Sequence, residues 1–258
     1  MTIQGFDVVV INYRGLASAP LTTPRLYTAN GWEDVLEPMK YIYEKYCRPH
    51  NRKAFAMGCS MGAGILGNLL GHEGENTFLE AATFVNPPMK LLICESSIRN
   101  SMFGAYNTAL GKNLEQNLIN NEKELNPTFT EKVGMDIRTY LRTHQSNILN
   151  FDNDITCPFN GWKDRAEYYD LASSCHTVSG IKIPCFYLSA NDDPVVHHTA
   201  VDHEGISNNP NTVIATTNHG GHLGYRESIC DHEQWFIKVC GAFYSVFQKR
   251  DEEDKFCD

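Results

Sequence analysis

Residues 53–70 read KAFAMGCSMGAGILGNLL, and the order of residue types in this stretch decides the fold. Residues 53–57 form a short apolar run that predicts a strand, whereas residues 61–70 are rich in Gly, Ala and Leu and predict a helix. The pentapeptide GCSMG at residues 58–62 joins them. Both glycines of this pentapeptide are explained by sterics, because a Cβ at either position would clash where the strand and the helix meet. The pattern predicts a sharp strand-turn-helix that exposes the Ser60 hydroxyl beside a helix N-terminus.

Strands and helices alternate along the rest of the chain. Apolar and β-branched runs predict further strands at residues 6–12, 81–85, 181–189 and 212–217. Amphipathic spacing predicts helices at residues 32–46 and 234–249. The run at residues 6–12 is expected to be buried on both faces of the sheet. The alternation predicts an α/β fold with a mostly parallel sheet, helices on both faces and a site at the carboxyl ends of the strands.

Residues 89–176 have a different character, since they are polar and helix-prone and lack strong β runs. This pattern predicts a helical cap inserted into the sheet domain. A chain of 258 residues is long enough to bury one sizeable core. We therefore predict a single domain with its core at residues 1–88 and 177–250, a helical cap at about residues 89–176, and a solvated, frayed tail at residues 251–258.

Composition and charge exclude several classes of protein. The chain has 31 acidic against 22 basic side chains, a formal charge of -9 and no Lys/Arg cluster. Nucleic acid and anionic membrane surfaces are disfavoured partners, because phosphate is repelled by such a chain. No apolar run approaches the roughly 20 residues of a membrane span. The nine cysteines are odd in number and contain no C-x-x-C pair, so we expect reduced thiols and an intracellular, reducing compartment, either the cytoplasm or an organelle.

A serine at its ordinary pKa is a poor nucleophile and needs a base that is oriented by an acid. Two acids, Asp192 and Asp193, end the predicted strand 181–189, and two histidines, His219 and His222, lie in a glycine loop after the next strand. Each element has a plainer interpretation on its own, as a tight turn or a simple loop. Together with Ser60 they give the order Ser, Asp, His along the chain, which is the order of the α/β-hydrolases.

Six stretches of this sequence strengthen that interpretation. They are VVVINYRGLASAPLTTPRLYTANGWEDV, GCSMGAGILGNLLG, FVNPP, AEYYDLAS, IKIPCFYLSANDDPVV and NHGGHLGY. From about residue 6 to residue 247 the chain resembles the α/β-hydrolase group that contains YheT-like hydrolases, medium-chain ester-forming acyltransferases of yeast, and mammalian monoacylglycerol and phospholipid hydrolases.

The resemblance implies roles for particular residues. Ser60 is then the nucleophile, Asp193 the orienting acid and His222 the general base, with the amide of Met61 as an oxyanion-hole donor. The implied reaction is acyl transfer from a small-molecule ester through an acyl-serine intermediate to water or to an alcohol. The implied substrates are medium- or long-chain acyl esters such as monoacylglycerols, and no metal or organic cofactor is expected.

Two alternative site residues stay open at this point, Asp192 for the acid and His219 for the base.

The resemblance also indicates a departure from the family pattern. Residues 6–12 correspond to the fourth strand of the fold, so the earlier strands are expected to be missing, together with the HG-rich loop that supplies a second oxyanion donor. One lost donor lowers kcat by about 10²- to 10³-fold. Missing strands also uncover a sheet edge. An incomplete sequence, a protein partner that covers the edge, or a catalytically impaired homologue kept as a structural subunit would each explain the departure.

Other groups of polar residues are given plainer interpretations. His197, His198, Asp202 and His203 could be metal ligands, and His197 with Asp202 also fits a loose H-x-x-x-x-D acyltransferase pattern. We expect them to be surface residues, because a metal site needs several convergent ligands. Cys59 precedes Ser60 and is expected to pack in the core.

Overall fold

The computed structural model describes residues 5–17, 19–228 and 233–253. Its sheet contains four strands in the order of the sequence, and every neighbouring pair is parallel. The strands are β1 (Phe55–Cys59), β2 (Ala81–Val85), β3 (Cys185–Ala190) and β4 (Thr212–Thr217). The predicted parallel α/β architecture is therefore confirmed.

Eleven α-helices are found in the described ranges. They are α1 (Glu33–Ile42), α2 (Met61–Glu73), α3 (Leu91–Asn100), α4 (Ala105–Asn120), α5 (Glu122–Val133), α6 (Ile137–Thr143), α7 (Ile148–Phe151), α8 (Cys157–Asn160), α9 (Arg165–Ala172), α10 (His203–Asn208) and α11 (Trp235–Glu253). Between β2 and β3 the described chain contains helices and no strand. The role of this segment as a cap over the site stays a prediction. No helix among those described is both long enough and apolar enough to cross a lipid bilayer.

The sheet is covered on both faces. On one face α2 supplies Ala63, Leu66 and Leu69 to a large cluster of buried side chains, because its Gly- and Ala-rich sequence lets it pack close to the strands. On the other face α11 supplies Phe236, Cys240 and Tyr244 to a second cluster. Every residue of β2 is buried, as is usual for a central parallel strand. This packing fixes the carboxyl ends of the strands, where the candidate site lies.

The prediction of a buried strand at residues 6–12 is wrong. These residues form no strand, and Val8, Val9 and Val10 are 48%, 60% and 77% exposed. Phe6 packs its ring edge-on against Phe55, and Asp7 forms an ion pair with Arg52 at 2.8 Å. An apolar run is buried in a parallel sheet only where strands flank it and helices cover it. In the described residues β1 pairs with β2 on one side and with no strand on the other, so residues 6–12 are flanked by no strands and stay exposed.

Other boundaries differ by a few residues. β3 begins at Cys185 and not at residue 181, because Pro184 has no amide hydrogen to give to a ladder. The closing helix α11 continues to Glu253, so residues 251–253 are helical and not frayed as predicted. The rest of the predicted tail, residues 254–258, lies outside the described residues.

Candidate active site

Ser60 sits on the sharp turn between β1 and α2. Its backbone has φ 52° and ψ -126°, which a residue with a side chain rarely adopts. The turn is tight because a Cβ added to Gly58 would lie 2.5 Å from the carbonyl oxygen of Gly62. The amide of Ser60 donates to the carbonyl of Val85 at 2.9 Å, which ties the turn to β2. The strand-turn-helix predicted from the sequence therefore holds the serine in a strained and fixed conformation.

His222 brings the serine and an acid together. Ser60 Oγ lies 2.8 Å from His222 Nε2, and His222 Nδ1 lies 2.8 Å from Asp193 Oδ2. An ionised carboxylate only accepts hydrogen bonds, so Nδ1 carries the hydrogen and Nε2 is free to accept from the serine hydroxyl. The side chain of Asp193 is fully buried and that of His222 is 19% exposed. The three residues thus form one continuous chain of hydrogen bonds that ends at the protein surface.

Asp193 is held rigidly at the end of β3. Its Oδ1 accepts from the backbone amides of Val195 and Val196, at 2.8 and 2.9 Å. Its Oδ2 accepts from His222 and from the side-chain amide of Asn86. A buried carboxylate is costly unless its oxygens are satisfied in this way. The donors converge from two loops and one strand end, so the carboxylate has one available orientation.

Asn86 was not predicted as a site residue from the sequence, where it was noted only within the stretch FVNPP. Asn86 follows β2, is 1% exposed and has φ 50°. Its Nδ2 donates to Asp193 and to the carbonyl oxygen of Gly221, at 3.2 Å in the second case. Its Oδ1 accepts from Tyr225 OH at 2.8 Å. A polar residue that ends the strand next to the acid-bearing strand was the signal that could have found it.

The structure places the two alternative residues elsewhere in the same loops. His219 Nδ1 lies 3.4 Å from Asp192 Oδ2, and the His219 side chain is 92% exposed. Asp192 Oδ1 accepts from the amide of Gly221 at 2.8 Å, and this backbone bond lowers the pKa of Asp192 below its usual range. Asp192 therefore anchors the loop that carries His222, and among the described contacts neither alternative residue touches Ser60.

Met61 is the first residue of α2. Among the hydrogen bonds of the described residues its amide has no acceptor, as expected for the first turn of a helix. The amide carries partial positive charge next to Ser60 Oγ and can stabilise an oxyanion. Tyr13, which the sequence analysis did not single out, approaches the same turn: its hydroxyl lies 2.8 Å from where a Cβ on Gly62 would be. Burial raises the pKa of Tyr13 to about 12, so it stays a hydrogen-bond donor at neutral pH.

Two of the remaining candidates have structural partners. Asp202 forms an ion pair with Lys90 at 2.8 Å, and His197 Nδ1 lies 2.8 Å from Thr199 Oγ1. No group of three or more possible metal ligands occurs in the part of the chain that the structure describes. Cys59 packs against the α11 side of the sheet, where burial raises the pKa of its thiol to about 11 and keeps it unreactive.

Comparison with known proteins agrees with this geometry. The family described as "alpha/beta hydrolase fold" matches residues 2–225. The chain belongs to this α/β-hydrolase family. The resemblance drawn from the sequence is thereby confirmed, and the site lies at the carboxyl ends of the strands, as expected for an open α/β sheet.

Three curated relatives show what this α/β-hydrolase chain is similar to. A monoacylglycerol lipase of Saccharomyces cerevisiae is 32% identical over 95% of this chain and 54% of its own length. The medium-chain fatty acid ethyl ester synthase/esterase 2 of the same yeast is 32% identical over 95% of this chain and 56% of its own length. Phospholipase ABHD3 of Mus musculus is 29% identical over 87% of this chain and 52% of its own length. The chain thus spans about half the length of these relatives.

Proposed function

We propose that this α/β-hydrolase is a serine esterase that cleaves medium- or long-chain acyl esters such as monoacylglycerols. The observation that carries the proposal is the hydrogen-bonded chain from Ser60 Oγ through His222 to the buried Asp193. The names of the relatives, a lipase, an ester synthase/esterase and a phospholipase, support ester substrates. Transfer to an alcohol in place of water is a second outcome of the same chemistry.

The proposed reaction has two halves. In the first, Ser60 Oγ attacks the ester carbonyl carbon while His222 Nε2 takes the hydroxyl proton. The tetrahedral oxyanion faces the Met61 amide and collapses as His222 returns the proton to the leaving alcohol, which gives an acyl-serine. In the second half His222 takes a proton from water, or from an acceptor alcohol, which attacks the acyl carbon. Collapse of that intermediate returns the proton to Ser60 and releases an acid or a new ester.

Asp193 contributes by orientation and charge. Its carboxylate keeps the Nδ1 hydrogen of His222 in place and stabilises the imidazolium that forms at each tetrahedral intermediate. The Nδ1 proton stays on His222 throughout the reaction and is not transferred to Asp193. Loss of the carboxylate allows the other tautomer, in which Nε2 carries the hydrogen and cannot accept from Ser60.

The test is ester hydrolysis by the purified chain, measured as kcat/KM on p-nitrophenyl esters of increasing acyl length. We expect turnover by wild type and a loss of at least about 10³-fold in Ser60→Ala and His222→Ala. His219→Ala is the matched control, because it removes an exposed histidine from the same loop and should keep wild-type turnover. A folded wild type without turnover on any ester, or equal turnover in Ser60→Ala, would contradict the proposal.

An alternative role as a structural subunit is favoured by one observation. The outer edge of β1 has no strand partner in the described residues, and Val8 to Val10 are exposed. Open edges with nearby apolar residues are places where another strand adds. We propose that a partner protein covers this edge with a strand. Amide hydrogen exchange of β1 tests this proposal. The β1 amides on the open edge should exchange fast in the purified chain and should be protected only when the partner protein is bound.

A further inference from the structure

The backbone of Gly221, immediately before His222, is held from both sides. Its N–H donates to Asp192 Oδ1 at 2.8 Å, and its carbonyl oxygen accepts from Asn86 Nδ2 at 3.2 Å. Gly221 has φ 51°, a conformation that few residues with a side chain adopt. The position of His222 is therefore set by hydrogen bonds to its own backbone loop as well as by the bond to Asp193.

Asn86 joins the histidine loop to the acid. One hydrogen of its Nδ2 goes to Gly221 and the other to Asp193 Oδ2. Its Oδ1 accepts from Tyr225 OH at 2.8 Å. The carboxylate and the carbonyl fix which end of the amide faces them, because a rotated amide would direct its oxygen at two acceptors. Both hydrogens and the oxygen of the amide are used, so its orientation is fully determined.

We propose that Asn86 is a positioning residue for the esterase reaction: its amide fixes the distance between Asp193 and the loop of His222, and Tyr225 holds that amide by donating to its oxygen. This inference rests on the proposed function and deepens it. Asn86, Tyr225, Asp193 and Gly221 are together called the Asn86 clamp.

The clamp accounts for the backbone conformation and the residue type at position 86. Asn86 is held at φ 50° in the interior, a conformation that costs free energy for a residue other than glycine. Asparagine tolerates that conformation and supplies two donors, whereas leucine or valine would supply neither. Because the amide acts through Asp193 and His222, its loss should lower kcat and leave KM nearly unchanged. A misplacement of about 1 Å costs on the order of 10²-fold in rate.

Asn86→Asp is the sharpest variant. It keeps the size of the side chain and its tolerance of positive φ, but it places a second carboxyl against Asp193. Two buried carboxyls this close share one proton, which is lost as pH rises. At neutral pH we expect kcat to fall by about 10- to 100-fold. The pH profile of kcat should gain an ionisation that the wild type lacks, with activity partly recovered at lower pH.

Tyr225→Phe removes the hydrogen bond to the amide oxygen of Asn86 and leaves both amide hydrogens in place. We expect kcat to fall by about 3- to 10-fold without a change in KM. Tyr244→Phe is the matched control, because it also removes a buried tyrosine hydroxyl, one that donates to Ala56 O at 2.7 Å far from His222 in the hydrogen-bond network. It should lose a similar amount of stability and keep wild-type kcat and pH profile.

A second readout separates the clamp from the esterase reaction. The Nδ1 hydrogen of His222, bonded to Asp193, should give a downfield proton resonance in wild type and in Tyr244→Phe, and Asn86→Asp should shift or lose it. If wild type gives this resonance, Asn86→Asp shifts or loses it, and wild type has no turnover, the esterase proposal is overturned while the clamp is supported. An unchanged signal, kcat and pH profile in Asn86→Asp and Tyr225→Phe would overturn the clamp. The clamp would also be overturned if kcat fell only in proportion to the fraction of folded protein, and by the same factor in Tyr244→Phe as in Asn86→Asp and Tyr225→Phe.

Discussion

Asp152 is a buried carboxyl in the helical segment between β2 and β3. The hydroxyls of Tyr169 and Thr156 donate to its two oxygens, at 2.7 and 2.8 Å. Burial raises the pKa of Asp152 from 3.8 to about 6, in spite of these donors. The carboxyl of Asp152 thus binds a proton more tightly in the folded protein than in the unfolded chain. Its contribution to the free energy of unfolding is fully present below the unfolded pKa and is lost as pH rises through about 6.

The Asp152→Asn variant should remove this pH dependence. Between about pH 4.5 and about pH 7.5, the free energy of unfolding of wild type should fall relative to the variant by on the order of 2 kcal/mol. Urea unfolding at the two pH values measures the difference. Asp170→Asn, an exposed carboxyl that pairs with His176, is the control and should follow wild type. Parallel pH dependence of wild type and Asp152→Asn would show that this carboxyl is not protonated in the folded protein.

Gly58 is the residue at which the turn before Ser60 tolerates no side chain. A Cβ there would lie 2.5 Å from Gly62 O and 2.6 Å from Ala63 Cα, both of them backbone atoms that cannot rotate away. We expect Gly58→Ala to lower the free energy of unfolding by about 1 to 3 kcal/mol, as overpacking does elsewhere.

Gly64→Ala, in helix α2 directly after the turn, is the matched control for Gly58→Ala. Its nearest neighbour would be 3.7 Å away, so the substitution should be neutral or stabilise by up to about 1 kcal/mol. Thermal unfolding of both variants measures the difference in their stability. Equal melting temperatures for the two would mean that the turn is looser than the distances indicate.

At the scale of elements, the run at residues 6–12 gives a direct contrast with a buried strand. Val9 is 60% exposed, whereas Val85 in β2 is fully buried. Val9→Thr should change the free energy of unfolding by less than about 0.5 kcal/mol. Val85→Thr should cost about 1 to 3 kcal/mol, because it buries a hydroxyl. Similar costs in urea unfolding of the isolated chain would indicate that residues 6–12 are buried after all.

The same run shows why burial could not be predicted from the local sequence. Three consecutive valines indicate burial, but burial also requires a neighbouring strand and a covering helix, and neither is encoded in the run itself. The turn around Ser60 could be predicted, because its glycines and the flanking apolar runs act within a few residues of one another. β2 and β4 could be predicted for the same reason, each with the bounds the structure has.

At the scale of the whole molecule, the candidate site joins residues that are far apart in the sequence. Ser60 and His222 are 162 positions apart, and Asn86 and Asp193 are 107 apart. The order of the motifs pointed to Ser60, Asp193 and His222, because each follows a recognisable strand. It did not point to Asn86, nor to Asp192 as an anchor of the histidine loop, since those roles depend on how three loops meet at one edge of the sheet.

Covalent trapping of the serine tests the proposed esterase most directly. We would treat the folded chain with a fluorophosphonate, digest it, and locate the adduct by mass spectrometry. The proposal predicts one adduct per chain, at Ser60, which His222→Ala loses and His219→Ala keeps, because such probes react with a serine activated by its base. An unlabelled wild type, or an adduct on another residue, would contradict the assignment of Ser60 as the activated nucleophile.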